Sequence, residues 1–269
     1  MAPLEGKTAI VTGAGRLRGI GRAAAVALAH MGANVVITGT GRDPATFPRD
    51  ETESGWRDIE STAEQIRALG RRALPIVADA VSGADARRTA AAAIAEFGGI
   101  DILVNNAAYM RGQDRVPLTE LAEEIWDKVI DIKLKGTFLM TQAVLPAMIA
   151  RGGGGSIVNI SSIAGMRGWP DTAAYCTANW GIRGFTQALA VDLAPHKIRV
   201  NAICPGIIDT SRMDEVVHSE AWAKKSQTIP LRRAGSDEEI GRYIAWVCSP
   251  DASYVTGQSL VMDGGVVMT

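Results

Sequence analysis

From Lys7 onward, short apolar runs rich in β-branched residues alternate with longer stretches in which apolar residues recur every three or four positions. The runs are TAIVTG (8–13), NVVITG (34–39), RALPIVADA (72–80), DILVNNA (101–107), SIVNIS (156–161), IRVNAICP (198–205) and SLVMDG (259–264). Several are apolar at successive positions, the pattern of strands buried on both faces of a parallel sheet. Between them lie helical stretches such as 58–70, where Ile59, Ala63, Ile66 and Leu69 share one face. Strand–helix alternation of this kind predicts βαβ units. The expected fold class is α/β, a single doubly wound domain over 1–269 with a central parallel β-sheet flanked by helices.

Two segments break the alternation. Residues 40–57 (TGRDPATFPRDETESGWR) are polar, hold two prolines and part the second strand from its helix by more than a usual short loop. Residues 209–235 follow the sixth strand with a second long excursion. Long excursions in such folds are lids or ligand-side loops, with a disordered insertion as the alternative.

Composition narrows the partners. The hydrophobic fraction of 47% suits a globular core, and a net charge of −1 gives no footprint for nucleic acid or an anionic membrane. A small molecule is the expected partner. No apolar run approaches the ~20 residues of a membrane span. The amino terminus enters a strand without a basic leader or cleavage site, so no secretion signal is expected. Cys176, Cys204 and Cys248 lie far apart and lack metal-ligand spacing, which reads as reduced thiols of a cytoplasmic protein. His30, His196 and His218 are equally scattered, so no metal site is expected.

The first strand runs into TGAGRLRGIGRAAAVALA, where Gly13, Gly15, Gly19 and Gly21 precede an alanine-rich helix. Bare backbone there lets a pyrophosphate approach, and the helix amino terminus offers unpaired N–H groups and a positive dipole end. With TGAGRLRGIG (12–21), DA (79–80), NNAA (105–108), NISSIAG (159–165), Tyr175, NAICPGIIDT (201–210) and SPDASYVTGQSLVMDGG (249–265) in this order, the chain resembles the short-chain dehydrogenase/reductase family along essentially its full length.

The resemblance implies a Rossmann-like fold binding NAD(H) or NADP(H) across the carboxyl ends of the strands. It places the cofactor against Gly13, Gly15, Arg16, Gly19, Ile20 and Gly21, with Asp79 and Ala80 at the adenine and Asn105 and Ala107 near the centre. Pro205, Gly206, Ile208 and Thr210 would line the nicotinamide. Gly39 stands where NAD-specific relatives carry an acid for the ribose hydroxyls. With that acid absent and Arg16, Arg18 and Arg42 nearby, a 2′-phosphate is accommodated and NADP(H) is favoured. Asp43 and the long loop after it keep NAD(H) possible. Leu17 and Arg18 lengthen the glycine turn by about two residues relative to the commonest family form.

The family's reacting centre pairs a serine with a tyrosine that exchanges the proton. Ser162 and Tyr175 match, with Ser161 as a lesser candidate. A free tyrosine titrates near pH ~10, and the family lowers this with a lysine one helical turn on. Here that position is Asn179, while Lys133 in KLKGTF stands where the family has asparagine. The two have changed places.

At about 100° per residue, Lys133 shares a face with Trp126, Val129, Gly136, Thr137 and Met140 in a helix over 126–140. A lysine on that face is paired, neutralised or aimed into a polar site, or else it snorkels out along its stem. The favoured reading puts its ammonium in the relay near Tyr175 and the ribose, with Asn179 holding a water.

The expected activity is interconversion of an alcohol and a ketone or aldehyde on a small, largely apolar substrate. Reduction of C=N or C=C bonds, and a non-catalytic dinucleotide-binding protein, are the alternatives. Tyr109, Met110, Met166, Trp169, Met213 and Trp222 fall in segments that border the substrate cleft in similar proteins, or they are packing residues. The resemblance also implies a homotetramer or dimer with GGVVMT (264–269) near an interface.

Overall fold

The computed structural model describes residues 2–268, so Thr269 of the carboxyl-terminal GGVVMT lies outside the described residues. The chain folds in the order β1 (Thr8–Val11), α1 (Ile20–His30), β2 (Asn34–Gly39), α2 (Arg49–Glu53), α3 (Ile59–Ala68), β3 (Ala73–Val77), α4 (Gly83–Phe97) and β4 (Ile102–Asn105). It continues with α5 (Glu123–Ile130), α6 (Gly136–Arg151), β5 (Gly155–Ile160), α7 (Ala173–Leu193), β6 (Ile198–Pro205) and β7 (Ile208–Asp209). Then come α8 (Asp214–Val217), α9 (Trp222–Ser226), β8 (Gly235–Ser236), α10 (Asp237–Cys248) and β9 (Ser259–Met262). Seven strands form one parallel sheet in the order β3-β2-β1-β4-β5-β6-β9.

Successive strand residues feed opposite cores. Val11, Val35, Ile37 and Val104 pack with α1, α3 and α10 through Leu28, Ile66 and Ile244, whereas Ile10, Val36 and Leu103 pack with α4 and α6 through Ala90, Val144 and Met148. Each fully buried isoleucine, valine or leucine contributes ~1.5–3 kcal/mol over leaving it in water. Runs apolar at every position are thereby explained: both faces are covered.

The expected strands are present, and two, 34–39 and 198–205, match to the residue. The others are shorter at their carboxyl ends; β1, for example, stops at Val11, because Gly13 turns away from the sheet at φ +68°. The helix expected over 126–140 is a correction. Here α5 gives way to a π turn at Asp131–Lys135 before α6 begins. A Cβ at Gly136 would lie 3.0 Å from the Ala80 carbonyl oxygen, so α6 starts where its backbone touches the loop after β3. A single π turn widens a helix locally and re-aims the side chains that follow.

Both long excursions are ordered. The segment 40–57 holds a 3-10 turn at Pro44–Thr46, with the Asp43 carboxylate accepting from the Ala45 N–H, and then α2. The excursion after β6 carries α8 and α9 and is closed at its base by β7 pairing in parallel with β8. Among the described residues no helix is long and apolar enough to cross a membrane.

Candidate active site

A cavity of about 640 Å³ runs along the carboxyl ends of the central strands, over the point between β1 and β4 where the strand order reverses. Open α/β sheets bind ligands at such a switch point. Gly13, Gly15, Gly19, Ile20 and Gly21 floor one end. A Cβ at Gly21 would meet the Gly13 carbonyl oxygen and Asn106 Nδ2 at 2.5 Å, so only glycine lets α1 approach this closely. Helix α1 has no side-chain cap, and the N–H of its N-cap residue Gly19 donates to Asp237 Oδ2 at 2.8 Å. The bare cradle and the first-turn N–H groups beyond Gly19, at the positive end of the helix, fit a dinucleotide pyrophosphate.

The 40–58 segment clamps this turn. Trp56 Nε1 donates to the Gly15 carbonyl at 2.6 Å, and the Leu17 N–H donates to Glu51 Oε1 at 3.0 Å. Arg42 donates to the same Gly15 carbonyl at 3.0 Å and pairs with Glu51 at 2.7 Å and Asp58 at 3.0 Å. Asp58 is nearly buried and holds φ +54°, a conformation rarely adopted by a residue with a side chain. A Cβ on Gly39 would lie 2.7 Å from Ile59 Cγ2 and 3.6 Å from Asp58 Oδ2. No side chain fits at residue 39, and the carboxylate of Asp58, just before α3, stands beside it.

Leu17 and Arg18, the extra residues of the turn, give it a second anchor. Arg18 pairs with Asp50 at 2.7 Å, Asp209 at 2.9 Å and Asp214 at 2.6 Å, tying the turn to both excursions. Burial alone would lower its pKa, but the bonds to Asp50 and Asp214 outweigh this and push it up. Arg16 also lines the cavity, but it has only a contact to Met110 Sδ at 3.1 Å, and burial with repulsion from Arg42 lowers its pKa. His218 comes within 3.5 Å of Asp209 and 3.6 Å of Asp214, carboxylates that Arg18 already occupies.

At the other end of the cavity stand Ser162, Tyr175 and Lys133. Ser162 follows β5 at the start of a 3-10 turn (Ile163–Gly165) and its Oγ accepts from the Ala164 N–H at 3.1 Å, whereas Ser161 is turned to donate to the Asn179 carbonyl at 3.0 Å. Tyr175 sits in the first turn of α7, with the guanidinium of Arg115 3.9 Å and that of Arg212 5.0 Å from its ring centroid.

Lys133, in the π turn, is 5% exposed and reaches the cavity wall. Helical phase sets Glu124, Asp127, Lys128, Asp131 and Lys135 on the opposite side, and all of these are exposed except Asp131, which is half-buried. Burial, followed by repulsion from Arg212, brings the Lys133 pKa down to about 7. The π turn presses closely on α7: a Cβ at Gly181 would lie 2.9 Å from Leu134 Cδ2.

Pro205, Gly206, Ile208 and Thr210 line the wall next to this end, and Gly39, Arg42, Asp79, Ala80 and Ala107 line it toward the glycine turn. Two expected residues stay outside. Asn105 is buried, donating to Thr141 Oγ1 at 3.1 Å and to Asn159 Oδ1 at 2.9 Å, and so ties β4 to its neighbours. Asn179 is fully buried: its Nδ2 donates to the Tyr175 carbonyl at 2.8 Å and its Oδ1 has no partner.

Of the expected cleft residues, Tyr109, Met110 and Met213 line the cavity, whereas Met166, Trp169 and Trp222 do not. Trp169 is covered by Arg167 at 4.2 Å instead. Sequence reasoning missed Asp58, Glu51 and Trp56, and it missed Arg111, Arg115 and Arg212. The only signal for the arginines was their place in loops that follow β4 and β6.

A parallel sheet of this order, with a glycine turn at its switch point and a serine–tyrosine pair across the cavity, defines a dinucleotide-dependent α/β oxidoreductase. The family model described as enoyl-(acyl carrier protein) reductase matches residues 13–267. The chain belongs to the short-chain dehydrogenase/reductase family and is an NAD(P)-dependent enzyme of it. It is 35% identical over 265 residues to the 3-oxoacyl-[acyl-carrier-protein] reductase FabG of Thermotoga maritima, covering 98% of this chain and 99% of that one. It is 38% identical over 268 residues to the short chain dehydrogenase/reductase astE of Aspergillus oryzae, covering 98% and 95%. Among solved structures, carveol dehydrogenase from Mycobacterium avium in complex with NAD superposes with a TM-score of 0.89 at 29% identity, over 99% of both chains.

Proposed function

We propose that the enzyme interconverts an alcohol and a ketone or aldehyde on a small substrate, with Ser162, Tyr175 and Lys133 as the reacting set. All three line the same cavity, and Arg212 faces both the Tyr175 ring and Lys133, which supports the reading. The dinucleotide supplies or accepts the hydride. Ser162 Oγ–H holds the substrate oxygen, and the Tyr175 hydroxyl gives that oxygen its proton or takes it back. Lys133, with a pKa of about 7, exists in both protonation states near neutrality and can pass a proton on as well as oppose phenolate charge. Asn179 supports Tyr175 through the backbone of α7.

The test is oxidation of reduced dinucleotide with a panel of ketones and aldehydes. Tyr175→Phe is expected to lower kcat about 10²–10⁴-fold with cofactor binding retained. Tight binding without oxidation by any carbonyl compound refutes the reading in favour of a binding protein. Turnover confined to imines or activated alkenes refutes the alcohol/carbonyl assignment.

For the cofactor we propose NAD(H). Two of the three arginines that favour a 2′-phosphate in the sequence, Arg18 and Arg42, are held by carboxylates. Asp58 lines the cavity with its Oδ1 taken by the Arg42 side chain, but its Oδ2, which accepts the Arg42 backbone N–H at 3.2 Å, stands beside Gly39, where it could also accept from a ribose diol. Tighter binding of NADP⁺ than NAD⁺, or no loss of NAD⁺ affinity in Asp58→Asn, refutes this. We further propose a homo-oligomer in the cytoplasm. Phe138 on α6 and Trp180 and Val191 on α7 are large apolar side chains left exposed, and all three cysteines are free. A monomer by light scattering refutes the assembly.

A further inference from the structure

We infer that the substrate is an anion, a short oxoacid or hydroxyacid whose carboxylate is gripped by Arg115 and Arg212 across the face of Tyr175. The inference rests on the oxidoreductase reading above and goes beyond it by naming the substrate class.

The charged residues of the cavity wall differ between its two ends. At the glycine-turn end both signs are present, with Arg16, Arg18 and Arg42 beside Asp58 and Asp79. At the reacting end the charged lining residues are Arg111, Arg115, Arg212 and Lys133, and no carboxylate lines the wall there. Their charges are only partly offset within the protein. Arg111 has the exposed Glu215 at 3.7 Å, and Arg115 has the buried Asp114 at 3.7 Å, both beyond hydrogen-bond distance. Arg115 Nη1 is buried with no partner. Arg212 has no carboxylate within ion-pair distance among the described residues, although its guanidinium stands 5.0 Å from the Tyr175 ring centroid. Arg18 and Arg42, by contrast, are saturated with acids.

Like charges crowd here at a cost that is visible on the groups themselves. Burial lowers the pKa of Arg115; Asp114 and Tyr175 oppose this, while Arg212 and Arg111 add to it, and Arg212 is the second cause of the low Lys133 value. A bound anion removes that cost. Guanidinium forks match a carboxylate in geometry as well as charge.

Arg115 lies over the ring whose hydroxyl exchanges the proton, so the carboxylate sits within one or two carbons of the reacting carbon. Length is bounded too: the cavity of about 640 Å³ must hold dinucleotide and substrate together. Arg115 comes from the loop between β4 and α5 and Arg212 from the excursion after β6. The grip is complete only when both segments are in place.

The experiment is calorimetric titration of the protein, with and without saturating NAD⁺, using acetoacetate and pyruvate against their methyl esters. At least one acid is expected to bind the NAD⁺-loaded protein about tenfold or more tightly than its ester. Arg212→Met should reduce that preference several-fold and Arg212→Glu should reverse it. Arg212 is partly exposed and unpaired, so replacing it leaves no buried acid behind, and Arg115→Lys provides a conservative second variant. Equal binding of acid and ester, binding of neither acid, or a preference unchanged in Arg212→Glu overturns the inference. Reduction of neutral ketones, measured in parallel, reports on the oxidoreductase reading alone, so an enzyme that prefers esters would sink the anion grip and leave that reading standing.

Discussion

Replacing Lys133 by methionine should stabilise the folded protein at acid and neutral pH, which is the reverse of the usual result for a buried residue. The ordinary lysine value of 10.5 falls to about 7 in the fold because burial disfavours the ammonium and Arg212 repels it. At about 1.4 kcal/mol per pH unit, this sets a ceiling of about 5 kcal/mol on what the charged side chain costs the native state.

Below pH 7 both folded and unfolded chains hold the proton, and the whole cost is present. Between pH 7 and 10.5 the unfolded chain holds a proton that the folded chain has lost, so stability rises with pH. Above 10.5 the cost is gone. Water and relaxation at the cavity wall reduce the measured gain to a fraction of the ceiling, at least about 1 kcal/mol at pH 6. Methionine fills nearly the same volume without the charge.

The assay is urea unfolding of both proteins at pH 6 and pH 9.5, read as the difference between them so that other titrating groups cancel. The variant should be the more stable at pH 6, with the difference shrinking at pH 9.5. A variant less stable at pH 6, or a difference independent of pH, refutes the argument that the ammonium is desolvated.

Gly15→Ala places a Cβ against Asp58 Oδ1 and so forces the Arg42–Asp58 clamp apart. Dinucleotide affinity should fall by more than about tenfold and stability by ~1–3 kcal/mol, measured by cofactor titration and thermal unfolding. Arg18→Met removes three partly exposed ion pairs at once; a loss of ~1–3 kcal/mol that shrinks in high salt is expected in denaturant unfolding. Lys133→Ala should remove most turnover while the circular dichroism stays native, and Lys133→Asn with Asn179→Lys should recover part of it. Near-normal turnover in the single variant would show that Lys133 does no chemistry.

Much of this protein is written in its linear order. Alternating apolar runs fix the strands and helices because burial on two faces demands them, and the glycine turn is legible because strand, turn and helix are contiguous. Ser162 and Tyr175 could be picked out through the resemblance to the family, and the inward face of Lys133 from spacing, since a helix repeats its faces locally. Only the tertiary structure decided the rest.

The Arg42–Glu51–Asp58 clamp, the saturation of Arg18, and the placing of Arg115 and the unpaired Arg212 against Tyr175 all depend on loops meeting across the carboxyl edge of the sheet. Whether an arginine is free to bind an anion depends on which acids reach it. The same holds for Lys133 and Asn179: the resemblance implies that the two have exchanged places, but it is the π turn that sets Lys133 on the cavity wall, while Asn179 is fully buried in α7. Periodicity assigns a face to a residue; packing between distant segments determines its solvent, its charge partners and therefore its chemistry.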